Sequence, residues 1–238
     1  MKEEVLDDDG AVARRGAATI AADAREAVAE RGRFLFAVSG GRTPWQMLAA
    51  LATEDVPWNA VHLFQVDERV APAGDPDRNL THIRESLLGR VALPPGNLHA
   101  MPVEGDEKDL PAAAARYAHE LASLAGTPAV LDLVHLGLGP DGHTASLVPG
   151  DPVLAVTDRA VALAGPYQGH RRMTLTFPVL DRARRVLWLA TGAEKAAMLA
   201  RLKAGDRSIP AGRVSSERAL LLTDRAAAGI YFRVPVPK

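Results

Sequence analysis

The sequence predicts an α/β fold, with a mostly parallel sheet covered by helices on both faces. Three observations carry this. Apolar runs at residues 34–38, 61–66, 131–139 and 186–191 lack the polar alternation of a half-exposed strand, as expected for strands buried on both faces. Helix-like stretches alternate with them, the pattern of a parallel sheet with crossover helices. The chain of 238 residues is 47% apolar and 24% charged and shows no internal repeat, low-complexity segment or long linker, so a single domain over 1–238 is expected.

Each element has a local reason. Residues 11–31 are Ala-rich and amphipathic, and Gly32 stops them. The run at 34–38 ends abruptly in Ser39-Gly40-Gly41, a strand followed by a turn. Thr43-Pro44 then reads as an N-cap with proline at the first helical position, opening a helix to residue 53. The second strand, 61–66, leads through a loop rich in Pro, Gly and Asp at 71–78 to a helix over 80–89. Residues 109–125 form another Ala-rich helix, and 131–139 is the third clear strand. Weaker strands are expected at 160–164 and 172–177, then a strand at 186–191, a helix at 193–203, and a last strand at 219–222 with a short helix after it.

Composition excludes several chemistries. No cysteine means no disulfide, no thiolate nucleophile and no Cys-ligated metal. A formal net charge of -1 leaves no electrostatic footprint for nucleic acid or an anionic membrane. The N-terminal ten residues are acidic rather than signal-like, and no run approaches the ~20 apolar residues of a membrane span, so a cytoplasmic protein is expected. The histidines show no HExxH or paired spacing, so a metal is not expected. Lysine occurs only at 2, 108, 195, 203 and 238, and the other 23 basic residues are arginine, which makes any internal lysine unusual.

Ligands of open α/β sheets bind outside the carboxyl ends of the strands, and four such ends stand out. Ser39-Gly40-Gly41-Arg42-Thr43-Pro44 reads equally as a phosphate cradle at a helix start or as a tight turn that needs glycines anyway. Asp67-Glu68-Arg69 taken alone reads as a salt-bridged surface turn. The stretch 137–147 formally contains GxGxxG, but Pro140 and Asp141 stand where a pyrophosphate must approach, and no long helix follows. What remains is a glycine-walled loop presenting His143, with Asp141 two residues earlier to fix its tautomer. A lone His is commonly structural; glycines on both approaches favour function. Lys195, in the first turn of a helix where the macrodipole disfavours cations, suggests an anion partner, against the alternative of an exposed solubilising lysine.

Together, Ser39–Pro44, Asp67–Arg69 with Asn79, Gly137–Gly150, Arg172-Met173-Thr174-Leu175-Thr176 and Thr191–Lys195 resemble the 6-phosphogluconolactonase family over about residues 38–204. The GPDGHTASL run is the specific part. The resemblance implies a Rossmann-like, deaminase/phosphosugar-isomerase-like fold. It also implies hydrolysis of 6-phospho-D-glucono-1,5-lactone to 6-phospho-D-gluconate in the oxidative pentose phosphate pathway, with no cofactor. His143 would act as general base on water and then return the proton to the ring oxygen, with Asp141 orienting it. Arg69 would stabilise the oxyanion or hold the substrate. The phosphate would lie on Ser39, Gly40, Gly41 and the Thr43 helix start, with Lys195 and Arg172 supplying charge; Asp67 would hold a sugar hydroxyl or Arg69. The only partner expected is the phosphosugar lactone, with neither nucleic acid nor membrane, on a monomer or weak homodimer.

Two alternatives use the same or a related α/β domain, one in a sister family and one of a different class. Glucosamine-6-phosphate deaminases carry a glutamate five residues after the His, where this chain has Val148, which does not titrate. Non-catalytic sugar-phosphate-binding modules of transcription regulators add a helix-turn-helix domain, whereas residues 1–33 offer a single helix.

Overall fold

The computed structural model of the chain describes residues 1–105 and 107–230. It opens with strand β1 (Lys2–Leu6), which the acidic N-terminal stretch did not advertise. Helix α1 (Asp9–Arg31) starts at Asp8, whose carboxylate accepts the Ala11 N–H at 2.6 Å, and ends at Gly32 in the left-handed region (φ 75°). Strand β2 (Phe34–Val38) and helix α2 (Arg42–Leu51) follow. The helix is capped by Gly41 rather than Thr43. The Thr43 hydroxyl is buried instead against the Thr191 hydroxyl at 2.6 Å.

The central sequence supplies β3 (Val61–Gln65), β4 (Asp67–Arg69), α3 (Asn79–Ser86), β5 (Leu98–His99), α4 (Leu110–Ala125) and β6 (Leu133–Gly137). The helix expected to reach residue 89 ends at Ser86 and gives way to a 3-10 turn. Then come β7 (Val161–Tyr167), β8 (His170–Leu175), α5 (Phe177–Arg182), β9 (Arg185–Ala190), α6 (Ala196–Lys203) and β10 (Ala219–Asp224). Residues 225–229 form turns where a short helix was expected, because Asp224 accepts the Ala227 N–H and closes the chain locally.

Among the described residues, seven strands form a parallel sheet in the order β1-β10-β9-β6-β2-β3-β5. Strand β2 shows why its apolar run does not alternate. Phe34, Phe36 and Val38 join α1, α2 and α3 in one core, while Leu35 and Ala37 face a second core with Tyr117 of α4 and Trp188. Successive side chains point to opposite faces, and both faces are covered.

The weaker strands are not part of this sheet. β7 and β8 form a hairpin around Gln168 and Gly169, both with positive φ, and β4 pairs antiparallel with β8. Val66 joins the two sheets. Its N–H donates to Val38 O in the parallel sheet, and its carbonyl accepts from Leu175 N at the end of β8. Among the described residues no helix is long and apolar enough to cross a membrane.

Connectivity defines the site. From β2 the chain moves outward to β3 and β5; from β6 it moves the other way to β9 and β10. The loops after β2 and β6 therefore diverge at a topological switch point, where an open α/β sheet presents a crevice. The four strand ends singled out above belong to β9, β6, β2 and β3, which are neighbours at the centre of the sheet.

Candidate active site

The loop after β2 forms the floor. The Ser39 N–H donates to Nδ1 of His135 on β6 at 3.3 Å. Full burial pushes the His135 imidazole down to a pKa of about 3, so it stays a neutral acceptor at physiological pH. Gly40 is required by a close approach, because a Cβ there would collide with the Asn79 amide. Gly41 caps α2 without a side-chain hydrogen bond, so the positive end of that helix is left unneutralised beside the cleft.

Asp67-Glu68-Arg69 is not the surface turn that its charges suggested. Glu68 is fully buried and Asp67 nearly so. The Glu68 carboxylate accepts the N–H groups of Arg69, Asn79 and Leu80 and the Gln65 amide, each at 2.8 Å. It thereby caps α3 from a neighbouring strand, with the buried Arg78 guanidinium at 3.5 Å. Asp67 accepts the Ser146 hydroxyl at 2.7 Å, and its carbonyl accepts the Asn79 amide at 2.8 Å. The Asn79 Oδ1 in turn accepts from the Arg69 guanidinium.

The loop after β6 turns back on itself, with the Gly139 N–H donating to His143 O at 2.8 Å. A Cβ at Gly139 would occupy the position of the His143 ring, which is why glycine stands there. Oδ1 of Asp141 lies 2.5 Å from His143 Nδ1 and 3.1 Å from the His143 backbone nitrogen. Partial burial raises the Asp141 carboxyl, but the backbone N–H and the imidazole of His143 outweigh it and hold it below the usual carboxylate range. An ionised Asp141 takes the proton on Nδ1 as donor and leaves Nε2 as the basic nitrogen.

Arg69 and Arg172 face each other across β4 and β8. Burial, followed by the nearby Arg69 charge, lowers the pKa of Arg172. Two like charges directly opposed destabilise a strand pair unless an anion is shared between them. Lys195 closes the 3-10 turn that leads into α6, and no carboxylate among the described residues lies within ion-pair distance of it.

The three loops and Lys195 border one cleft of about 390 Å³, within the ~300–1,000 Å³ of small-molecule sites. Of the ten residues nominated from sequence, nine line it, namely Ser39, Gly40, Gly41, Thr43, Asp67, Arg69, His143, Arg172 and Lys195. Asp141 stands behind His143 and does not line it. Sequence reasoning gave no role to Asn79, which lines the cleft and ties Gly40, Asp67 and Arg69 together. Its place ten residues after the charged triplet was the available signal. Thr191 lines the cleft as well and was not nominated.

Comparison with known proteins places the chain among relatives. Residues 7–222 match the model of the family described as glucosamine-6-phosphate isomerases/6-phosphogluconolactonase. The chain is similar to a 6-phosphogluconolactonase of Nostoc sp., with 36% identity over 97% of this chain and 98% of the relative. It is also similar to one of Mycobacterium tuberculosis, with 40% identity over 85% of this chain and 87% of the relative. The crystal structure of 6-phosphogluconolactonase from Thermotoga maritima superposes with a TM-score of 0.83 at 29% identity, covering 94% of this chain and 98% of that one.

Proposed function

The chain belongs to the glucosamine-6-phosphate isomerase/6-phosphogluconolactonase family, and we infer that it hydrolyses 6-phospho-D-glucono-1,5-lactone to 6-phospho-D-gluconate in the oxidative pentose phosphate pathway. The observation that carries the chemistry is the 2.5 Å contact of Asp141 with Nδ1 of His143, whose ring lines a cleft together with Arg69, Arg172 and Lys195.

In this reading the substrate phosphate sits on the Ser39-Gly40-Gly41 loop and the first turn of α2. Lys195 and Arg172 supply the positive charge. The lactone carbonyl is then directed towards His143 and Arg69. Nε2 of His143 removes a proton from water as the oxygen attacks C1. The carbonyl π electrons move onto oxygen, and Arg69 stabilises that oxyanion. Collapse of the tetrahedral intermediate breaks the bond from C1 to the ring oxygen, which takes the proton back from His143. One water is consumed, and the product carboxylic acid ionises. A lactone is an activated ester, so no serine nucleophile is required. Asp67, held by Ser146, is placed to accept a sugar hydroxyl or to fix Arg69.

All these groups come from one chain, which supports a monomer or weak homodimer as sufficient; sedimentation across a concentration series checks that. Cytoplasmic residence is part of the same reading, and cell fractionation checks it.

A general base contributes about 10²–10⁴-fold. His143→Ala is expected to lower kcat by that order with KM nearly unchanged, measured by proton release from freshly prepared lactone above spontaneous opening. Near-normal kcat in that variant removes His143 from the role. Release of ammonia from glucosamine 6-phosphate by the unmodified chain would overturn the lactonase reading in favour of the deaminase one.

A further inference from the structure

We propose that Tyr167 is a positioning residue that couples the Asp141–His143 pair to the Arg172 guanidinium, a role that rests on the lactonase reading above. Tyr167 is the last residue of β7, at the hairpin turn. Its hydroxyl donates to Asp141 Oδ2 at 3.2 Å, while Oδ1 of the same carboxylate serves His143. The two carboxylate oxygens thus have separate partners, and the carboxyl plane is held from both ends. The phenol ring meets the His143 ring edge-on, with centroids 5.1 Å apart and planes at 66°.

The same residue seats Arg172. The guanidinium carbon lies 5.1 Å from the Tyr167 ring centroid, and Nε and one terminal nitrogen donate to the Tyr167 carbonyl at 3.4 and 3.2 Å. Tyr167 is absent from the cleft lining, so it acts through its neighbours. Partial burial, then the Asp141 charge, raises the phenol pKa, which keeps the hydroxyl a donor at neutral pH. The charged and titratable groups around this unit are Asp141 and His143 from the loop after β6, Arg172 from β8, and Asp67, Glu68 and Arg69 from β4. Donation from the phenol withdraws charge from Asp141. Without it, the carboxylate holds a protonated imidazole more tightly and the ring loses an anchor.

The two contacts separate by substitution in the full chain. Tyr167→Phe keeps the ring and the backbone carbonyl and loses only the hydroxyl. It is expected to lower kcat about five-fold, the effect of one hydrogen bond, with KM unchanged and the acid limb of the kcat/KM profile moved to higher pH. Tyr167→Ala also removes the ring beneath Arg172 and is expected to raise KM about five-fold. Thermal melts accompany both, and the Phe variant carries the test if the Ala variant does not fold. A Phe variant with wild-type kcat and pH profile overturns the proposal alone, as do Phe and Ala variants with identical losses in kcat and KM. A wild-type chain inactive on the lactone overturns the lactonase reading and this proposal with it.

Discussion

On one wall of the cleft, Asp67, Asn79 and Arg69 are already bonded to one another, and behind them the buried Glu68 carboxylate accepts four hydrogen bonds. On the other wall, the first turn of α2 has no capping side chain, and Lys195 has no carboxylate partner among the described residues. Both walls are rich in polar groups, yet they differ in what is satisfied before substrate arrives. Groups satisfied internally cost no rearrangement during reaction and hold their geometry. Groups left open keep their binding capacity for an incoming anion. The difference separates a frame that orients chemistry from a surface that recognises phosphate.

The comparison can be broken first at the frame. Glu68→Ala leaves three backbone N–H groups and the Gln65 amide without their acceptor and removes one of the two carboxylates beside the Arg78 guanidinium, the other being Glu104. Losing one partner of a buried pair costs about 3–5 kcal/mol, so urea melts should show a loss of that order. A variant that melts like the parent would mean that the wall does not depend on this carboxylate.

A smaller effect tests the floor. The His135 pKa is about 3 in the folded chain against 6.5 when unperturbed. Below pH 6.5 the unfolded chain binds a proton that the folded chain refuses. The stability associated with neutral His135 is therefore complete above pH 6.5 and is lost as pH falls towards 3, by at most ~1.4 kcal/mol per pH unit. Between pH 6.5 and 5 that amounts to about 2 kcal/mol. Urea melts of His135→Asn should show a correspondingly flatter dependence on pH; parallel slopes for variant and parent would remove His135 as the cause.

The smallest effect belongs to the open wall. Lys195→Ala should raise KM about ten-fold, equivalent to ~1.4 kcal/mol of binding, while the denaturation midpoint stays within error. A large fall in kcat at unchanged KM would instead place the lysine in the chemistry, and a large fall in stability would mean that it belongs to the frame.

What was legible in sequence was local. Gly139 and Gly142 on either side of Asp141, close before His143, marked a presented imidazole. The scarcity of lysine drew attention to Lys195, and Ser39-Gly40-Gly41 marked a turn at a strand end. Glu68 and Asn79 were not legible in the same way. A charged triplet in a loop and one at the root of a buried wall have the same letters. Only the pairing of β4 with β8, more than a hundred residues away, turns the second into a core acceptor. Nor did the sequence separate the β7–β8 hairpin from the parallel sheet, because short strands of either kind share composition.

By itself the sequence determined the α/β class, the positions of the buried strands β2, β3, β6, β9 and β10, the glycine turns at their ends and the side chains able to take a proton or hold a phosphate. Tertiary structure decided that β9, β6, β2 and β3 lie side by side, that Gly40 meets Asn79, and that Tyr167 reaches both Asp141 and Arg172. The physical reason is range. Turn chemistry and apolar runs act over a few residues of chain. Contacts such as the Leu35 N–H to Asp132, 97 residues apart, exist only once the sheet has chosen its neighbours.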